Sequence, residues 1–203
     1  MSNTTAPLRI AVLLFPALTA LDVFGPLNAL NLLSIQHPMT LSLLSTDLKP
    51  VSIDRTIIDG VYQGTSTWLS QYFSEFVLPT NTFDDDLDLD VIMVPGGAGT
   101  RNLNATQPHV DWLKARVDDP DLDYMMTVCT VDGAEDVNWI AKARWVVDGN
   151  LWTSSGVSAG TDMTLAWIEH VYGRNESERI RIMMEWNALN QTDDPFAELY
   201  GLV

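Results

Sequence analysis

The sequence predicts an α/β fold, in which a mostly parallel sheet is covered by helices on both faces. Apolar strand-length runs alternate with helical segments, and the first strand is apolar at nearly every position. The chain has 203 residues, of which 46% are hydrophobic, and can bury a full core. We expect residues 1–203 to form a single domain. A ligand site in such a fold is expected at the carboxyl ends of the strands.

Charge and composition argue against several classes of function. The formal net charge is −16, whereas a nucleic-acid-binding protein needs clustered lysine and arginine. No apolar run approaches the roughly 18 residues that a membrane-spanning helix needs, so we expect no membrane partner. We find no secretion signal, and the single cysteine cannot form an internal disulfide, so a cytoplasmic location is expected. The cysteine and the three histidines show no zinc-binding spacing.

The first elements are a strand and a long helix. Residues 8–15 form a nearly continuous apolar run, which is typical of a central parallel strand. Thr19 can cap a helix that extends to Leu33, because apolar side chains then recur at near-helical spacing. Gly25 and Pro26 are expected to bend or interrupt this helix.

The middle of the chain supplies further strands. Residues 39–45 and 91–94 are apolar runs of strand length, and Pro95-Gly96-Gly97 ends the second one. Residues 46–90 give no clear pattern. Residues 110–117 predict a short amphipathic helix, and residues 124–128 predict a strand with Cys129 at its carboxyl end.

The C-terminal part predicts a hairpin and two helices. Asp148-Gly149-Asn150, between the predicted strands 144–147 and 151–154, favours a β-hairpin. Ser158 or Thr161 begins an apolar-faced helix that ends near Gly173. Residues 176–189 are expected to form one more helix.

Four residues that follow predicted strands form a candidate site: Asp22, Gly96, Gly97 and Cys129. A cysteine at a turn into a helix is reactive because the helix N-terminus stabilises its thiolate, and the alternative is a small buried hydrophobe. The amide of Gly96 or Gly97 can join that of Thr130 in an oxyanion hole. Asp22 either complements the helix dipole or faces Cys129. In the second case, burial and the thiolate favour its protonated form, and it serves as general acid or base.

A second nucleophile pattern occurs at Gly156-Val157-Ser158-Ala159-Gly160, which fits the G-x-S-x-G turn of serine hydrolases. The histidine that follows it, His170, is expected about three turns away on the helix that Ser158 opens. That distance is too large for His170 to accept the serine proton. We therefore interpret Ser158 as a helix cap.

Four ordered segments resemble a known superfamily. They are FPALTALDVFGPLNAL (residues 15–30), VPGGAGTRNL (94–103), TVCT (127–130) and ARWVVDGNLWTSSGVSAGTDMTLAW (143–167). Together they resemble the ThiJ/PfpI superfamily of class I glutamine amidotransferase-like proteins, and most closely its isocyanide hydratase branch. The resemblance implies a flavodoxin-like three-layer sandwich in which the cysteine sits on a nucleophile elbow.

The resemblance also implies site residues and partners. Cys129 is then the nucleophile, Asp22 stands where this branch carries its acid, and Gly97 and Thr130 help to shape the pocket. Members of the superfamily usually form homodimers in which a neighbouring subunit borders the cysteine pocket, and they use no metal or organic cofactor. We therefore expect a homodimer that binds a small-molecule substrate without a cofactor.

The chain departs from the family pattern after Thr130. Family members continue with a helix of small residues, a turn and a threonine-rich strand, whereas here Val131-Asp132-Gly133 follows directly. We expect family segments to be missing after Thr130 and after Gly133. Without that helix, its dipole no longer activates Cys129.

The expected reaction is the cysteine-dependent hydration of a small apolar substrate. The resemblance makes a cofactor-free hydro-lyase, converting an isonitrile to an N-substituted formamide, the leading interpretation. An alternative is a glyoxalase-like or deglycase-like hydration of an α-oxoaldehyde, although those branches usually carry glutamate on the first helix and often histidine beside the cysteine. A third interpretation is a non-catalytic redox sensor in which Cys129 is oxidised.

Overall fold

The structure is a computed structural model that describes residues 8–54, 75–129, 138, 140–199 and 201. Its strands are short and follow the chain in the order β1 (Arg9–Leu13), β2 (Thr40–Ser45), β3 (Val51–Ser52), β4 (Phe76–Val77), β5 (Asn81–Thr82), β6 (Val91–Val94), β7 (Tyr124–Val128), β8 (Trp145–Asp148) and β9 (Leu151–Ser154). Its helices are α1 (Ala20–Leu33), α2 (Leu103–Arg116), α3 (Val157–Tyr172), α4 (Arg174–Met183) and α5 (Phe196–Leu199), with a 3-10 helix at Ala98–Arg101.

Seven strands form one sheet in the spatial order β5-β2-β1-β6-β7-β9-β8. All neighbours in this sheet are parallel except β8 and β9. The helix α1 connects β1 to β2, and α2 connects β6 to β7, because parallel strands need crossover connections. The strands β3 and β4 pair separately as an antiparallel two-stranded sheet.

Alternate side chains of β1 belong to the two layers that cover the sheet. Ile10 and Val12 lie in an apolar core with side chains of α1, α3 and α4. Ala11 and Leu13 lie in a second core, against which Trp112 of α2 packs. A mostly parallel sheet with helices on both faces confirms the predicted flavodoxin-like α/β fold.

Three strands, β6, β7 and β9, have the bounds that their apolar runs predict. The predicted hairpin is also present, since Asp148 of β8 pairs with Leu151 of β9 across a two-residue loop. Gly149 in this loop has a φ of 60°, a left-handed conformation that costs little without a Cβ atom. The composition of the turn therefore carried enough information to locate this hairpin.

Helices α1 and α2 differ from the predicted ones. The Gly25-Pro26 step does not interrupt α1, and the helix continues to its predicted end. Helix α2 begins at Leu103, well before residue 110, because the side chain of Asn102 accepts a hydrogen bond from the Ala105 amide and caps the helix there.

Helices α3 and α4 also have different ends. The N-cap of α3 is Gly156, so the interpretation of Ser158 as the cap is wrong. Helix α4 ends at Met183, not at residue 189, and Glu185 just beyond it has a left-handed φ of 51° that a continuing helix does not allow.

The stretch without a clear pattern, residues 46–90, contains β3, β4 and β5, each two residues long. Such short strands have too few positions to show an alternation. Residues 55–74 lie outside the described residues. Within the described part of the chain, no helix has the length and apolar character needed to cross a membrane.

Candidate active site

The candidate site lies where the order of the strands reverses. From β1 the sheet continues to β2 on one side and to β6 on the other, and β7 follows β6. In open α/β sheets, such a reversal leaves a crevice at the carboxyl ends of the strands. The loops that follow β1, β6 and β7 lead to Asp22, Gly96 and Cys129, so three predicted site residues come from neighbouring strands.

Cys129 directly follows β7 and has an unusual backbone. Its φ is 71°, a left-handed conformation that L-residues with a side chain rarely adopt. The Cys129 amide donates a hydrogen bond of 3.1 Å to the carbonyl oxygen of Ser154, and the preceding Val128 pairs with Ser154 in the sheet. The pairing of β7 with β9 thus holds a strained turn, which is a common feature of active sites. The side chain is partly exposed, as a nucleophile must be.

Asp22 is completely buried in the first turn of α1. Its Oδ2 atom accepts a hydrogen bond of 3.0 Å from the amide of Gly96, across the crevice between the loops after β1 and β6. A buried carboxyl group needs such a partner, because removing it from water without one is costly. Asp22 therefore does more than complement the dipole of its own helix.

Gly96 packs closely against both Asp22 and Cys129. A Cβ atom added to Gly96 would lie 2.4 Å from Cys129 Cβ and 2.9 Å from Asp22 Oδ2. The distance between Cys129 Cβ and Asp22 Oδ2 is therefore no larger than the sum of these two distances. Any side chain at position 96 would occupy the space between them. The Gly96 amide donates to Asp22, so within this arrangement it orients the carboxyl group.

The second glycine of the turn, Gly97, packs against the loop after β1. Its φ is 141°, and an added Cβ atom would lie 2.5 Å from the carbonyl oxygen of Ala17. The Thr19 amide donates a hydrogen bond of 2.9 Å to the Gly96 carbonyl oxygen, which also joins the two loops. Thr130, the other predicted contributor of an amide, lies outside the described residues, as do residues 131–137.

Sequence reasoning missed two residues that shape this region. Ser154 supplies the carbonyl oxygen that binds the Cys129 amide, and Ala17 has a left-handed φ of 61° in the loop after β1. No residue-type signal identifies either one, because a backbone carbonyl is present in every residue and alanine rarely adopts positive φ. The role of Ser154 follows only from the parallel pairing of β7 with β9.

Ser158 and His170 do not form a serine-hydrolase pair. Both lie on α3, where the Oγ atom of Ser158 accepts a hydrogen bond of 3.1 Å from Arg144 Nη2. The ring of His170 instead contacts the rings of Tyr124 and Trp152. The prediction that these two residues lie too far apart on one helix for proton transfer is consistent with this placement.

His109 is a buried histidine of α2 beneath the loop after β1. Its Nε2 atom lies 2.9 Å from the carbonyl oxygen of Leu14, and the rings of Phe15 and Phe83 contact it edge-on. Burial lowers the pKa of His109, so the ring is neutral near pH 7. Among the described residues, no group of three histidine, cysteine or acidic side chains is arranged to hold a metal ion.

The fold and this site define an α/β protein with a cysteine at the end of a central parallel strand. No family model matches the sequence. The isonitrile hydratase of Pseudomonas putida is 30% identical over 202 aligned positions, which cover 88% of this chain and 78% of that protein. The chain therefore belongs to the ThiJ/PfpI superfamily, as a homologue of isonitrile hydratase.

Solved structures share this fold. A ThiJ/PfpI family protein from Pseudomonas syringae has a TM-score of 0.69 and 22% identity, with coverage of 95% of this chain and 78% of that one. Drosophila melanogaster DJ-1beta has a TM-score of 0.62 and 14% identity, with coverage of 89% of this chain and 99% of that one. At these identities the structural likeness supports the fold and carries no statement about activity.

Proposed function

We propose that this protein hydrates an isonitrile to an N-substituted formamide, with Cys129 as the nucleophile and Asp22 as the acid and base. One observation carries the proposal: in a homologue of isonitrile hydratase, Asp22 Oδ2 and Cys129 Cβ converge on the same face of Gly96. An acid held this close to a nucleophile can deliver a proton to the atom that the nucleophile attacks.

In the first half of the reaction, the Cys129 thiolate forms a bond to the terminal carbon of the isonitrile. The protonated carboxyl group of Asp22 delivers a proton to the same carbon. The product is a thioimidate with one new C–S bond, one new C–H bond and a C=N double bond, and Asp22 is left as a carboxylate. Cysteine suits this step because a thiolate is strongly nucleophilic without a dedicated histidine base.

In the second half, water adds to the thioimidate carbon. The Asp22 carboxylate removes one proton from the water and passes it to the nitrogen, which gives a tetrahedral intermediate. The C–S bond then breaks, its electron pair returns to sulfur, and the remaining hydroxyl proton goes to Asp22. The formamide leaves, and the thiolate and the protonated acid are restored, so the net change is the addition of one water molecule.

The test is turnover of cyclohexyl isonitrile, followed by formamide formation, in the parent protein and in matched variants. Cys129→Ala should abolish turnover. In Asp22→Asn, the side-chain oxygen can still accept the hydrogen bond from the Gly96 amide and hold the loop after β6, but the amide group cannot act as an acid. We therefore expect kcat to fall about 100-fold or more. Asp148→Asn, at the exposed end of β8, is the control and should match the parent.

Two outcomes would contradict the proposal. Conversion of methylglyoxal to lactate without any turnover of the isonitrile would assign the α-oxoaldehyde reaction to the same two residues. Labelling of Cys129 by a thiol probe, with no turnover of either substrate, would leave a reactive cysteine without the proposed hydration.

We also infer that two copies of the chain associate through α1 beside the site. Leu21 and Phe24 are 46% and 48% exposed, and their spacing of three residues places them on one face of the helix that carries Asp22. Exposed apolar side chains on one face favour an interface. Light scattering should give the mass of a dimer for the parent and that of a monomer for Phe24→Asp. A monomeric parent would contradict the inference.

A further inference from the structure

A buried ion pair joins Arg144, the residue before β8, to Asp162 of α3. Arg144 is 2% exposed and Asp162 is 3% exposed. The Oδ2 atom of Asp162 accepts a hydrogen bond of 2.8 Å from Arg144 Nε and lies 2.6 Å from Arg144 Nη2. Trp186 Nε1 donates to Asp162 Oδ1 at 2.7 Å, and Arg144 Nη2 also donates to Ser158 Oγ at 3.1 Å. We call these four residues the Arg144 network.

The backbone of Arg144 connects this network to the cysteine. The carbonyl oxygen of Arg144 accepts a hydrogen bond of 2.8 Å from the Ser155 amide. The adjacent residue, Ser154, supplies the carbonyl oxygen that binds the Cys129 amide at 3.1 Å. The left-handed turn at Cys129 is thus held by a carbonyl group whose own position depends on Arg144, and a strained turn persists only when its surroundings fix it.

The side chain of Arg144 fixes the start of α3, which contacts both halves of the candidate site. Gly160 packs against β7, since an added Cβ atom would lie 2.5 Å from Val128 Cγ1. Thr161 packs against α1, where its Oγ1 atom lies 2.3 Å from the position of a Cβ atom on Gly25. Val128 directly precedes the cysteine, and Gly25 is one turn beyond Asp22 in the same helix.

We propose that the Arg144 network positions Cys129 relative to Asp22, so that Arg144 and Asp162 are positioning residues for the reaction. The assignment rests on the function proposed above. The network acts through two routes, the backbone of β9 and the first two turns of α3. Both routes end within one residue or one turn of a reacting group. The Asp162 carboxylate binds Arg144 through Oδ2 and Trp186 through Oδ1, and a buried network bonded on both sides in this way keeps such a geometry within narrow limits.

Three variants test the network in graded steps. Ser158→Ala removes the hydrogen bond from Arg144 Nη2 to Ser158 Oγ and leaves the ion pair intact, and Trp186→Phe removes the hydrogen bond to Asp162 Oδ1. Asp162→Asn removes the charge and leaves Arg144 buried without its counterion. The control is Glu198→Gln, which breaks an exposed ion pair of 3.0 Å with Lys142.

Two measurements separate positioning from a purely structural role. Steady-state kinetics with the isonitrile give kcat and KM, and the rate of Cys129 alkylation by iodoacetamide as a function of pH reports on the thiol without any turnover. We expect Ser158→Ala and Trp186→Phe to unfold cooperatively like the parent, with kcat lowered about 10-fold, KM within about 2-fold and an altered pH profile of alkylation. Glu198→Gln should match the parent in kcat, in KM and in the pH profile of alkylation.

The proposal is overturned if the folded Ser158→Ala and Trp186→Phe proteins retain the parent kcat and the parent pH profile of alkylation. If Asp162→Asn does not fold, these two milder variants still decide the question. If even the parent fails to turn over an isonitrile, the proposed function fails, whereas a changed alkylation profile in the variants still supports the positioning of Cys129.

Discussion

Substitution of Gly96 by alanine tests how closely the acid and the cysteine are packed. The added Cβ atom would lie 2.4 Å from Cys129 Cβ, 2.7 Å from the carbonyl oxygen of Val128 and 2.9 Å from Asp22 Oδ2. Ordinary van der Waals contact begins at 3.4 Å, so the Cys129 turn has to move by about 1 Å. Backbone and Cβ atoms cannot withdraw as the end of a long side chain can, so the loop and the end of β7 must separate.

The size of the effect follows from that displacement. Overpacking of this kind costs about 1–3 kcal/mol in the free energy of unfolding, or roughly 2–12 °C in Tm for a chain of this length. A displacement of about 1 Å between catalytic groups lowers kcat about 100-fold. We therefore expect Gly96→Ala to remain folded, to lose a few degrees in Tm and to lose nearly all isonitrile turnover.

The matched control is Gly156→Ala. An added Cβ atom there has no heavy atom within 4 Å, and the φ of −152° suits alanine. Because Gly156 is the N-cap of α3, its replacement should cost at most about 1 kcal/mol. Thermal unfolding, isonitrile kinetics and the rate of Cys129 alkylation are measured on both variants. If Gly96→Ala has the Tm, the kcat and the alkylation rate of the parent, the close packing of Gly96 against Cys129 and Asp22 is refuted.

Two further predictions concern one buried and one half-buried ionisable group. Burial lowers the pKa of His109 in the folded protein, so the contribution of His109 to stability is complete above its unfolded pKa of about 6.5 and is lost as the pH falls. Urea unfolding from about pH 8 to 5 should show this loss of stability. The loss should be smaller in His109→Gln. Burial raises the pKa of Tyr172 to about 12, so its stabilising effect is complete below the unfolded pKa of about 10 and is lost as the pH rises through the folded value. Absorbance at about 295 nm should show a late-ionising component that Tyr172→Phe lacks, and equal titrations of the two proteins would contradict this.

The sequence predicted the central strands well because their apolar runs are bounded by strong signals. Pro95 and Gly96 end β6, and Cys129 ends β7, so both strands were located to the residue. Helix ends were harder to place. The start of α2 depends on one hydrogen bond, from the Ala105 amide to the Asn102 side chain, and Asn104 is an equally suitable cap by residue type.

The candidate site could be predicted only as a set of residue types. Asp22, Gly96 and Cys129 each follow a predicted strand, which makes them candidates, but their proximity requires β1, β6 and β7 to be neighbours. Strand order is set by long-range packing, which local sequence patterns do not encode. The same limit explains why the bond between Asp22 and the Gly96 amide was not foreseen, although it decides where the carboxyl group lies.

The three site residues constrain one another through packing as much as through chemistry. The strained turn at Cys129 brings its Cβ atom to a position that only a glycine at 96 leaves open. The amide of that glycine in turn holds the carboxyl group of Asp22, so a change in the turn displaces the acid and the nucleophile together. The positions of Asp22 and Cys129 relative to each other are therefore set by the backbone of the loops after β1 and β6 and by the end of β7. Rotation of the side chains changes these positions little.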